Sequence, residues 1–180
     1  STSMGGRLLR RWLGQPLLDL HQLAERQEAV AWFHRSDLRR ERVIALLEPM
    51  SDIERLVNRV RGSSASPRDL VALGHSLRAA PEIRAILTED EDAPQVAWLA
   101  QEIGDNDEVV QLIAQAIAED PPPSVGEGRV IREGFSSDLD ALRSSSRDAQ
   151  EYIAGLQRTE RERTGIKSLK VGYNKVFGYY

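Results

Sequence analysis

Apolar residues recur along this chain at spacings of three and four, interrupted by short polar breaks. That period is the signature of amphipathic helices. Leu8, Leu9, Trp12 and Leu13 share one face of a first short helix, with Arg7, Arg10 and Arg11 around the other side. Gly14-Gln15-Pro16 ends it. Asp19 with Gln22 three residues on has the form of a capping box, and opens a second helix that carries Leu20, Leu23, Val30 and Trp32 or Phe33. Ser36 can cap a third helix, with Val43, Ile44, Leu46 and Leu47 apolar.

More helix starts lie downstream. Ser51-Asp52-Ile53-Glu54 reads as a capping box before Leu56, Val57 and Val60. Ser66-Pro67-Arg68-Asp69 combines a capping serine, a proline at the first helical position and a carboxylate in the first turn. Leu70, Leu73 and Leu77 continue it. Pro81 interrupts, and a short helix through Ile83, Ile86 and Leu87 runs into the acidic residues 89–92. Val96, Leu99, Ala100 and Ile103 mark another helix. Asp105 with Glu108 starts the one carrying Val109, Leu112, Ile113, Ala116 and Ile117. Asp120-Pro121-Pro122-Pro123 cannot be helix interior. Gly126, Gly128 and Gly134 keep the connection irregular, with Val130-Ile131 a short extended piece.

The longest element comes next. Ser136 or Ser137 caps a helix that nothing breaks before Gly165, about 27 residues and roughly 40 Å. Its apolar stripe (Leu139, Leu142, Ala149, Ile153, Leu156) fades toward Glu160 and Arg163. Such a helix starts packed and ends projecting. Beyond Gly165, Leu169, Val171 and Tyr173 alternate with Lys170, Gly172 and Asn174, the period of a strand, and β-prone residues continue to Tyr180. The chain is therefore expected to be all-α, an irregular multi-helix core plus one long helix, with a short β-strand or hairpin at its C-terminal end. Three of the four tyrosines fall in the last eight residues. A β element cut at Tyr180 would lack the partners it needs for stability, so its remaining strands are expected beyond that residue.

Composition narrows the function. Of the 180 residues, 41% are apolar and 29% charged, which suits a folded globular chain. There are no cysteines, which excludes disulfides and thiolate metal sites. No apolar run approaches the length of a membrane helix. The net charge of −4 argues against a dedicated nucleic-acid domain. The charge is unevenly spread, however. Residues 87–120 hold ten acidic residues and no Lys or Arg, whereas residues 158–175 hold six basic residues against Glu160 and Glu162.

The chemistry-bearing motifs are sparse. No Gly-rich phosphate loop ending in Lys-Ser/Thr occurs, nor a Gly-x-Ser-x-Gly elbow. His21, His34 and His75 stand on separate helices without metal-ligand spacing. No catalytic, cofactor or metal residue is assigned. The one candidate cluster is Lys167, Lys170, Asn174 and Lys175, which could meet nucleic-acid phosphates. The competing reading is a strand whose lysines simply face water.

The order of several stretches resembles the MutS family of DNA mismatch-repair proteins. They are residues 4–18 (Met4-Gly5-Gly6-Arg7 through Gln15-Pro16-Leu17-Leu18), Ser51-Asp52-Ile53-Glu54-Arg55-Leu56, Ser66-Pro67-Arg68-Asp69-Leu70, the stretch from Glu119 to Gly134, and residues 164–180. The resemblance covers nearly the whole chain. It implies a helical core over 1–134, a lever helix over 135–166 and the beginning of a β-rich DNA clamp over 167–180. It further implies that mismatch reading and ATP hydrolysis belong to other domains of the whole protein, so that this segment needs no cofactor while its parent uses ATP and Mg. The implied partners of that parent are mismatched double-stranded DNA, a second MutS subunit and MutL. The implied location is the bacterial cytoplasm, at the nucleoid, with no membrane contact. A helical interaction scaffold with no DNA role is the alternative, and a small enzyme using the acidic middle ranks below both.

Overall fold

The computed structural model describes residues 2–89, 93–174 and 178–180. The chain is mostly helical, and its contacts divide it into two units, Ser1–Arg132 and Glu133–Tyr180.

The first unit runs α1 (Ser3–Gly14), α2 (Leu20–His34), α3 (Asp37–Leu47), α4 (Ile53–Arg61), α5 (Pro67–Leu77), α6 (Ala80–Leu87), α7 (Pro94–Glu102) and α8 (Asp107–Ala116). Several starts are set by their own caps. Asp19 accepts the amides of His21 and Gln22, and Ser36 accepts that of Arg39. Ser66 and Asp69 form the full reciprocal box expected for them. Two starts lie one residue on from the positions that the sequence pattern suggests. Asp52, not Ser51, caps α4 by accepting the Arg55 amide. Asn106 precedes α8, while Asp105 accepts the amide of Asp107 instead. Either of two adjacent polar residues can end the extended entry, so the local signal leaves a one-residue ambiguity.

Two packing centres hold this unit. The first gathers Ala29 and Trp32 of α2, Leu87 of α6, Val96 and Ala100 of α7 and Ala93 just before α7, ringed by Phe33, Ile83, Trp98, Leu99 and Ile103. Val96 is 0% exposed at its middle. Trp32 meets Phe33 edge-on at 4.9 Å, and the Arg39 guanidinium lies 3.8 Å over the Trp32 ring. The second packs α5 against α4 and α8. A glycine fits closely there. A Cβ on Gly74 would lie 3.2 Å from Cγ2 of Ile113, so the missing side chain lets α5 and α8 approach closely. Buried Ser76 donates to the Ala72 carbonyl at 2.8 Å and accepts the Ser51 amide at 3.0 Å, tying α5 to the entry of α4.

After α8 the extended piece at Val130-Ile131 is present. Ile131 forms an isolated antiparallel bridge with Ile117. The Ala118 amide donates to the Val130 carbonyl and the Arg132 amide to that of Ala116, both at 2.8 Å. By contrast, α1 has no buried residue. Polar contacts attach it: Arg7 to Asp52 and Glu54, both at 2.6 Å, and Arg26 3.7 Å over the Trp12 ring.

The second unit is dominated by α9 (Ser137–Thr164), 28 residues long. Ser136 accepts the Leu139 amide at its start, and Gly165 ends it with φ +70°. That left-handed turn is the usual helix-terminating geometry, open to glycine without a Cβ penalty. No residue of α9 is buried, and Leu142 is 69% exposed.

Candidate nucleic-acid interface at the C-terminal end

The last turn of α9 is built from local bonds. Thr164 donates its hydroxyl to the Glu160 carbonyl at 2.6 Å, and Arg163 pairs with the Glu160 carboxylate at 2.7 Å. The Arg163 hydrogen bond holds the Glu160 carboxyl below its ordinary value. Gly165 then reverses the chain, and residues 167–168 turn.

The returning segment lies against the helix it left. Arg161 donates from Nε to the Leu169 carbonyl at 2.6 Å. The Val171 amide donates to Oε1 of Gln157 at 2.9 Å. Gln157 and Arg161 are four residues apart, hence on one helical face. Beyond Val171, Gly172 and Tyr180 exchange two backbone hydrogen bonds, at 2.9 and 3.0 Å. Next come β1 (Tyr173–Asn174) and β2 (Gly178–Tyr179), antiparallel, with Tyr173 opposite Tyr179 and Asn174 opposite Gly178. Alternation predicted extended pairing from Leu169 onward, but the described ladder is two residues a side. Leu169 and Val171 give their backbone groups to helix side chains instead of to a neighbouring strand.

The candidate lysines occupy different places. Lys167 sits in the turn and Lys170 between half-buried Leu169 and Val171; both are exposed. Asn174 is in β1, and Lys175 lies outside the described residues. Lys167 in the turn and Lys170 after it are thus each open to solvent. The contacts at Gln157 and Arg161 are not legible in the sequence. Their four-residue spacing is visible there, but the return of the chain onto them is not.

Elsewhere, the acidic run is partly tied down. Glu89 accepts from Arg42 at 2.5 and 2.7 Å, and that bond holds its carboxyl below the ordinary value. Residues 90–92 lie outside the described ones. Among the described residues no group of three or more His, Asp or Glu side chains is placed to hold a metal ion. No helix among them is long and apolar enough to cross a membrane.

The family model for MutS domain III matches residues 1–171. The chain belongs to the MutS family. It is 50% identical over 180 residues to the DNA mismatch repair protein MutS of Symbiobacterium thermophilum. It is 46% identical over 179 residues to that of Thermus aquaticus and 45% over 182 to that of Methanosarcina mazei. Each alignment takes in 99% of this chain but only 20–21% of the relative, so the chain spans about a fifth of their length.

Proposed function

We propose that this chain serves as structural core and lever of a DNA mismatch-recognition ATPase, carrying motion between a DNA clamp and an ATPase domain elsewhere in the whole protein. In this reading residues 1–134 are the first part of the core, 135–166 the lever helix and 167–180 the beginning of the clamp. The chain itself is not an enzyme. ATP and Mg are handled by the parent protein, whose partners are mismatched double-stranded DNA, a second MutS subunit and MutL, in the bacterial cytoplasm. Lys167, Lys170, Asn174 and Lys175 approach the DNA backbone.

The observation that carries this reading is α9: an unbroken helix with no buried residue, followed by a turn that exposes Lys167 and a returning segment that exposes Lys170. A helix of 28 residues transmits displacement over about 42 Å, because bending it lengthens its backbone hydrogen bonds. Lysines on a tight turn suit phosphate contact, which positions a protein on the duplex without reading sequence.

The test is salt-dependent DNA binding by the full-length protein containing this chain. Removing one lysine that neutralises a phosphate lowers the slope of log K against log salt by about 0.9. The double variant Lys167→Glu, Lys170→Glu is expected to flatten the slope by up to about twice that. An unchanged slope would remove these lysines from the DNA interface.

A further inference from the structure

We infer that Gln157 and Arg161 are positioning residues: together they lock the lysine-bearing turn and the hairpin stem to the last turns of α9, so that DNA-facing groups move with the helix. The inference rests on the clamp reading above and adds the joint that reading needs. A stiff helix moves nothing beyond its own end if the connection after Gly165 swivels.

The geometry is specific. In extended backbone, the amide and carbonyl groups of alternate residues point to the same side. The Leu169 carbonyl and the Val171 amide thus face one way, and α9 meets them with a donor at Arg161 (2.6 Å) and an acceptor at Gln157 (2.9 Å). Gly172 faces the other way and closes the hairpin stem against Tyr180 with two bonds. The segment is held from both sides by four hydrogen bonds within four residues. The two side chains have opposite hydrogen-bonding character, so a slip of one residue would turn both backbone groups away from them. Both side chains are half-buried, unlike Leu156 and Arg158 on either side of Gln157. Arg161 stands outside the Glu160–Arg163 pair, and it spends its Nε donor on a backbone carbonyl rather than a carboxylate.

The experiment uses the full-length protein with spin labels at exposed Arg147 and Ser168, each replaced by cysteine. Gln157→Leu with Arg161→Met removes both bonds while keeping bulk and helix propensity. Gln157→Glu keeps the acceptor and Arg161→Lys keeps a donor. The parent and the two conservative variants are expected to show one narrow distance distribution. The Leu/Met variant is expected to show one at least twofold broader, at unchanged helicity by circular dichroism. Its affinity for mismatched duplex is expected to fall about tenfold, with the salt slope retained because the lysines remain. An unbroadened distribution would overturn the joint. Broadening without loss of affinity would overturn its role in positioning the DNA contacts. Failure of the clamp reading reads out separately, as an unchanged salt slope in Lys167→Glu, Lys170→Glu.

Discussion

Arg7 bridges two carboxylates at the start of α4, donating twice to Asp52 and twice to Glu54. Asp52 also caps α4, so a single side chain ends one helix properly and fastens another. The Arg7 hydrogen bond holds the Asp52 carboxyl well below the usual carboxylate range. A depressed folded pKa stabilises the fold fully above the unfolded value, near pH 4, and that contribution is lost progressively as pH falls below it. Asp52→Asn separates the two roles, because asparagine caps as well as aspartate but carries no charge. The variant is expected to melt lower at neutral pH and to lose less of its melting temperature between pH 5 and about pH 2 than the parent. Ser66→Ala, which removes the complete capping box of α5, is expected to cost about 1 kcal/mol in denaturant unfolding. Leu87→Ala in the α2–α6–α7 centre is expected to cost about 2–5 kcal/mol, since a side chain 4% exposed leaves a cavity. These residue-scale features differ in legibility. Ser66 was readable because a cap and its partner lie three residues apart. Arg7 looks in the sequence like a helix-face charge only, because its carboxylates lie more than forty positions away.

At the scale of elements, α9 stands apart. Its start at Ser136 and its end at Gly165 arise from cap chemistry alone; the end is legible in the sequence, and the start to within one residue. Gly165→Ala is expected to cost about 1 kcal/mol through the left-handed backbone, read as fraying of the last turn by circular dichroism. A Gly-Pro pair at Ala149-Gln150 breaks the helix mid-length, as proline removes a backbone bond and clashes with the preceding turn. In the full-length protein it is expected to uncouple nucleotide state from DNA release while both sites still bind. Unchanged coupling would count against the lever. The strand at the C-terminal end was the less legible element. Its alternation is present in residues 169–174, but alternation says only that one face is half covered. It does not say whether the cover is another strand or the helix just completed.

For the whole molecule, burial is unequal. Residues of α5, α6 and α7 supply much of the enclosed apolar surface, whereas α1, α3 and α9 have no buried residue. Helix stability in proteins comes mostly from such packing, so amide exchange is expected to be slowest in α5 and α7 and faster along α9. Equal protection across these helices would contradict this distribution of stability. Large apolar side chains such as Leu13, Leu18 and Leu20 stand more than three-quarters exposed in the first unit.

Local chemistry alone determined the helical class, most helix starts and the stop at Gly165, because caps, prolines and apolar spacing act over three to five residues. Tertiary structure decided what lies opposite what: Arg7 against Asp52, Gly74 against Ile113, Ile131 against Ile117 and the returning segment against Gln157 and Arg161. Those pairings depend on where the chain goes between contacts, and no short-range preference encodes that path. The basic C-terminal end shows the division well. Its charge was plain in the sequence, while the bonds that hold the Lys167–Lys170 turn against α9 exist only once the chain has turned back onto the helix.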